Sequence, residues 1–101
     1  MKRTSKSAIG TSFHGDTFNA SPADLRKILG LPVSENNDGS DKTNFDWEME
    51  TEGGEVFTVY DWKYYRPIKE DEVIEWNIGG KSGKVTSEAL NEIAGDLNAL
   101  R

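Results

Sequence analysis

The stretch Glu55-Val56-Phe57-Thr58-Val59-Tyr60-Asp61-Trp62, EVFTVYDW, decides the fold. Apolar and β-favouring residues run through it almost without a break, and a strand dry on both faces lies in the middle of a sheet. Upstream, Phe45, Trp47 and Met49 alternate with Asp46, Glu48 and Glu50. That period of two gives a strand with one dry face and one wet face. Thr51-Glu52-Gly53-Gly54 between the two strands is the connection of a hairpin. Downstream, Arg66-Pro67 interrupts the pattern, and Val73 to Ile78 supplies another strand with Ile74, Trp76 and Ile78 on one face. Strands at 43–50, 55–62 and 73–78 read as an antiparallel meander.

Outward from this meander the signals turn helical. Ser21 can cap a helix, Pro22 suits its first position and Asp24 places an acid in its first turn. Leu25, Ile28 and Leu29 share one face, and Gly30 with Pro32 ends the helix. Before it, Ala8 to Phe13 reads as a short strand, and after the turn residues His14-Gly15-Asp16 the stretch Thr17 to Asn19 can return beside it. Residues 33–42, VSENNDGSDK, read as a polar loop. Gly79 to Lys84 reads as a flexible basic loop before a last helix at 87–99, capped by Thr86 or Ser87. Leu90, Ile93, Leu97 and Leu100 form its apolar stripe. The expected fold is α+β: a three- to four-stranded, mainly antiparallel sheet with two helices over one face. Residues 1–7 read as a flexible basic tail and 8–101 as a single domain.

Composition narrows the function. The 101 residues include no cysteine, which excludes disulfides and thiolate metal sites and fits a reducing compartment, the cytoplasm. No run has transmembrane length and no apolar signal core opens the chain, so no membrane partner is expected. The net charge is -6, and Glu35 to Asp61 holds nine acidic residues against Lys42 alone. Direct DNA binding through backbone attraction is therefore not expected. Such a charge run is ordinarily a solvated face that favours solubility, yet it can also imitate nucleic acid toward a basic protein.

Two stretches carry chemistry. In Gly79-Gly80-Lys81-Ser82-Gly83-Lys84, glycine amides, two cations and a hydroxyl precede a helix start, which are the parts of a phosphate cradle. Only three residues separate Gly79 from Gly83 and Val85 follows Lys84, so this is not the nucleotide-hydrolysing P-loop pattern; a plain connector rich in glycine has the same sequence. Trp62-Lys63-Tyr64-Tyr65-Arg66 interleaves aromatics with cations, which suits base stacking, and equally suits aromatics closing a core or anchoring a protein interface. His14 is the single histidine, more in keeping with a structural or hydrogen-bonding role than a catalytic one. Asp46, Glu48 and Glu50 share a face, but without histidine support they read as solvated acids, and no metal or cofactor is expected. No catalytic constellation is present, so the chain reads as a binding protein and not an enzyme.

The segment VFTVYDWK at 56–63, followed by EWNIGG at 75–80, resembles a family of small bacteriophage proteins in which a strand ending in YDWK precedes a W-x-I-G strand end. Phe13-His14-Gly15, Leu25 and Leu29-Gly30 resemble the front half of that family, and the likeness runs over residues 10 to 95. The resemblance implies a phage protein, active in the host cytoplasm, that blocks or diverts host defence. Joined to the two chemical stretches, it leads to the expectation of a sponge. Such a protein holds a small nucleotide messenger, a cyclic oligonucleotide or an ADP-ribose derivative, without cleaving it. The expected ligand-binding residues are His14, Trp62, Lys63, Tyr64, Tyr65, Arg66, Gly79, Gly80, Lys81, Ser82 and Lys84. A homo-oligomer would build the pocket from two copies. The competing expectation is an acidic inhibitor, an anti-CRISPR or DNA mimic, that covers the basic groove of a host defence nuclease.

Overall fold

β5 (Val56–Tyr60) lies at the centre of the sheet, as its sequence demands. The computed structural model describes residues 1–100. Around β5 the chain forms β1 (Lys2–Arg3), β2 (Ser12–Ala20), α1 (Pro22–Leu29), β3 (Ser34–Glu35), β4 (Phe45–Glu50), β6 (Ile74–Gly80) and α2 (Gly83–Ala99). The sheet order is β1-β4-β5-β6-β2, with β3 also paired to β4, and every pairing is antiparallel. The fold is α+β with a six-stranded antiparallel sheet and two helices, so the expectation of three or four strands falls short. Two of the extra strands, β1 and β3, are two residues long, too short to carry a period.

Both helices pack on one face of the sheet. Leu25 and Leu29 of α1 and Ile93 and Leu97 of α2 join Phe45, Trp47, Phe57, Val59, Trp76 and Ile78 in a single core. Each buried aromatic or branched side chain contributes about 1.5–3 kcal/mol. The three large rings form a cluster: Phe45 stacks on Trp47 at 5.8 Å, and Trp76 meets Trp47 edge-on at 5.6 Å. A buried indole N–H needs an acceptor. Trp47 Nε1 donates to the Gly30 carbonyl at 2.9 Å and Trp76 Nε1 to that of Ala20 at 2.8 Å. Both acceptors flank α1, so the indoles pin that helix to the sheet.

α1 starts and stops as its sequence predicts. Ser21 Oγ accepts from the Asp24 amide at 3.2 Å, Pro22 opens the helix and Gly30 closes it at φ 82°. α2 begins earlier than the sequence reading places it. Ser82 is its cap, accepting from the Val85 amide at 3.3 Å, and Gly83 to Thr86 form its first turn. Gly79 and Gly80 are buried strand residues of β6, not loop. The loop expected over 79–84 shrinks to Lys81 and Ser82.

Three further expectations change. Residues 1–7, read as a loose tail, include β1, which pairs Lys2 with Glu50 and Arg3 with Met49; the terminal amine meets Glu92 at 3.0 Å. The two short strands expected around His14 are one bulged strand, β2, whose register on β6 shifts between Phe13 and Thr17. β5 is dry on one face only: Phe57 and Val59 are fully buried, whereas Thr58 and Tyr60 are half-buried. The helices cover the side of Phe57 and Val59 and leave the other side of the sheet without a helix.

Candidate functional site on the helix-free face of the sheet

Register places the residues of this face. Asp46 pairs with Tyr60 and Tyr60 with Asn77; one level on, Glu48 pairs with Thr58, Thr58 with Gly79 and Gly79 with Phe13. At the centre Gly79 has no side chain, and a Cβ there would collide with Thr58 Oγ1. The close approach of Thr58 therefore requires glycine, and it leaves a depression in the face. A concavity of about 440 Å³ spans the sheet from β3 to β2, lined among others by Ser34, Asp46, Glu48, Thr58, Tyr60, Trp62, Gly79 and Ser12. A second, of about 400 Å³, is lined by Phe13 of β2, Tyr60 of β5, Asn77 of β6 and Trp62. Tyr60 and Trp62 line both, their rings edge-to-face at 6.1 Å. Phe13 is 49% and Trp62 45% exposed, whereas Trp47 and Trp76 are 0% exposed.

The chain holds Trp62 out by an internal anchor. Asp61 is fully buried and, among the described residues, forms no ion pair. Its carboxylate accepts from the amides of Asn44 at 2.8 Å and Phe45 at 2.9 Å and from Asn44 Nδ2 at 3.1 Å. Hydrogen bonds of this kind satisfy a buried charge. Asn44 Nδ2 also donates to the Arg66 carbonyl at 3.1 Å, and Asn44 Oδ1 accepts from the Gly39 amide at 3.1 Å. The loop at 39–44 is thereby tied to the segment 61–66. The Lys63 amide donates to the Lys42 carbonyl at 2.7 Å. As a result both lysines flank one ring: the ammonium of Lys42 stands 5.8 Å and that of Lys63 5.6 Å from the Trp62 centroid.

The two concavities differ in polarity. Asp46 is half-buried, and its Oδ2 accepts from Thr43 Oγ1 at 2.9 Å. Burial raises the Asp46 carboxyl above its ordinary value, outweighing that hydrogen bond, and Asp61, Glu48 and Asp41 add to the rise. The Tyr60 phenol is raised too, first by burial and then by the charge of Asp46. Hydrogen-bond acceptors thus gather over β4 and β5, cations stand at the Trp62 rim, and Asn77 offers an amide over β6.

The expected site residues fall into separate groups. Trp62, Lys63 and Gly79 belong to the helix-free face. Tyr64 and Arg66 are engaged elsewhere: the Tyr64 hydroxyl accepts from the Glu75 amide at 3.2 Å, and Arg66 pairs with Glu72 and lies 5.6 Å over the Tyr64 ring. That pairing holds the Glu72 carboxyl well down, at about 2. Tyr65 is 54% exposed with φ 51°. His14, Gly80, Lys81, Ser82 and Lys84 gather at the far end of β6, where His14 Nε2–H donates to the Gly80 carbonyl at 3.0 Å. Phe57 pairs with Gly80 and Tyr60 with Asn77, so at least about 10 Å of strand separates the two ends. One copy of the chain brings Gly79 and Trp62 into a single concavity, whose lining does not include Lys81, Ser82 or Lys84.

Sequence reasoning missed Phe13, Tyr60 and Lys42 as members of this face. Asp61, a lone acid inside an apolar strand, was the available signal for a buried anchor. Lys42 had no local signal, because its place depends on the Asn44 to Asp61 bonds. Among the described residues no three histidines or acids come together to hold a metal ion, and no helix is long and apolar enough to cross a membrane. Neither a protein-family model, a curated protein nor a solved structure matches the chain.

Proposed function

We propose that the protein binds a small nucleotide-type ligand on the helix-free face of its sheet and holds it without cleaving it. The observation that carries this reading is the Tyr60–Trp62 pair, half exposed beside two concavities and flanked by Lys42 and Lys63. Aromatic rings on an open sheet are stacking surfaces for bases, and neighbouring cations suit phosphate. In this reading Trp62 and Tyr60 stack on the base, the lysines meet the phosphate, and Asp46 and Thr58 receive hydrogen bonds from base or sugar. Lys81, Ser82 and Lys84, at the other end of β6, contact the ligand only through a second copy of the chain. The likeness to small phage proteins supports a role in sequestering an immune messenger in the host cytoplasm.

The competing reading, an acidic inhibitor of a defence nuclease, has less support. Its acidic stripe is interrupted, because Glu50 is paired with Lys6 at 3.1 Å and Asp46 is half-buried. A panel of nucleotides tests the binding reading directly. Since Trp47 and Trp76 are fully buried, quenching of tryptophan emission reports Trp62. A ligand at 100 times its Kd adds about 2.7 kcal/mol of stability, a clear rise in Tm. Both signals should appear with the same ligand, and the rise in Tm should vanish in Trp62→Ala with Lys63→Ala. If no nucleotide moves either signal, the reading is wrong.

A further inference from the structure

The two concavities share one wall, the Tyr60–Trp62 pair, and this sharing limits what ligand fits. One lobe reaches Asp46 and Glu48 of β4, the other reaches Phe13 of β2 and Asn77 of β6, and they meet at Tyr60 and Trp62. A single base fills one lobe and leaves the other to water. Two bases separated by one intervening aromatic ring stand about 7 Å apart, twice the ~3.4 Å base spacing along one strand. The lobes are also chemically complete as two base sites. Over β6 and β2 the base meets Phe13 and the Asn77 amide, which both donates and accepts. In the other lobe it meets Asp46 and Thr58, whose hydroxyl lies against Gly79. No described side chain or amide donates to Asp46 Oδ1, so that oxygen is open to an amino group of a base. Lys42 and Lys63 stand at the shared wall and not at the outer end of either lobe, so the charge they meet lies between the bases.

We infer that the ligand is a dinucleotide that straddles the Tyr60–Trp62 ridge, one base in each lobe and the linking phosphate beside Lys42 and Lys63. This inference rests on the nucleotide-binding reading and narrows it: ligands with one base, ADP-ribose derivatives among them, fill half of the site.

The test is a titration of the full chain, followed by Trp62 emission and calorimetry, with 5′-AMP, 5′-GMP, the linear dinucleotides pApA and pGpG, and the cyclic forms of both. At least one dinucleotide should bind about 100-fold more tightly than its mononucleotide, one per chain, because the second base binds at the effective concentration set by the first. Phe13→Ala, a change at an exposed position that leaves the melting temperature near its original value, should weaken that dinucleotide about 10-fold. Mononucleotide affinity, which keeps the other lobe, should change less than about 2-fold. Dinucleotides that bind within about 3-fold of mononucleotides overturn the inference and leave the nucleotide reading standing. A strong dinucleotide preference untouched by Phe13→Ala overturns the placement of the second base. If neither mononucleotide nor dinucleotide binds, the nucleotide reading falls and the inference falls with it.

Discussion

The two faces of one sheet use the same residue types for opposite ends. On the helix-covered face, Trp47 and Trp76 are fully buried, packed with Phe45 in one ring cluster and hydrogen-bonded to carbonyls at the ends of α1. On the helix-free face, Tyr60, Trp62 and Phe13 have no such cover, and their neighbours are lysines, acids and a glycine. An aromatic ring buried among aliphatic side chains holds a fold together. The same ring left half exposed beside a depression gives up hydrophobic stabilisation that burial would have supplied, and under the proposed function it serves as a stacking surface instead. The comparison teaches that aromatic content does not separate core from site here; neighbours and cover do.

The largest effects should separate the faces most sharply. Trp76→Ala removes a fully buried ring and its hydrogen bond, and should cost about 3–5 kcal/mol, a large share of the total for a small domain. Trp62→Ala should cost no more than about 0.5 kcal/mol while abolishing the nucleotide response. Urea unfolding of both variants checks the pair, and equal losses would mean that Trp62 is core after all. A middle-sized effect is expected at the depression itself. Gly79→Ala forces its new methyl against Thr58 and should cost about 1–3 kcal/mol. Adding Thr58→Ala should recover most of that loss, a coupling visible in a double-mutant cycle of melting temperatures. Were Gly79→Ala neutral, the close approach would not be what demands glycine.

The smallest effect concerns charge. The folded chain raises the Asp46 carboxyl above its unfolded value, chiefly through burial. The protein is therefore relatively favoured below the unfolded value, near 3.9, and that advantage is lost as pH rises through the higher folded value. Asp46→Asn should thus raise Tm at neutral pH, within the roughly 0.5 kcal/mol range of surface changes, and the gain should disappear on acidification below pH ~4. A lower Tm at neutral pH would show that the Thr43 bond outweighs burial. The same variant should weaken any ligand that donates to Asp46.

Much of the scaffold was legible because its signals are local. Period two marks β4 and β6, Ser21, Pro22 and Gly30 mark α1, and the apolar stripe through Ile93 and Leu97 marks α2. The site was half legible. Trp62 could be expected outside because a strand hides only alternate residues. The other members depend on distant pairings: Phe13 reaches the face through Gly79, and Lys42 through Asn44 and Asp61. Gly79 and Gly80 misled, since glycine signals both a loop and a close approach, and only the neighbouring strand distinguishes them.

The pairing of β2 with β6 also sets a timetable. Residues 12–20 of β2 dock onto residues 74–80, and Lys2 of β1 onto Glu50. At ~5–20 residues per second, a ribosome completes β6 about 3–12 s after it has made β2. During that wait Phe13 and Phe18 have no partner strand. β2 carries its own protection: Gly15, Asp16 and the irregular register between Phe13 and Thr17 make it a poor template for another chain. A nascent chain halted before residue 74 therefore lacks the strand onto which β2 docks, and the sheet closes only once β6 has been made.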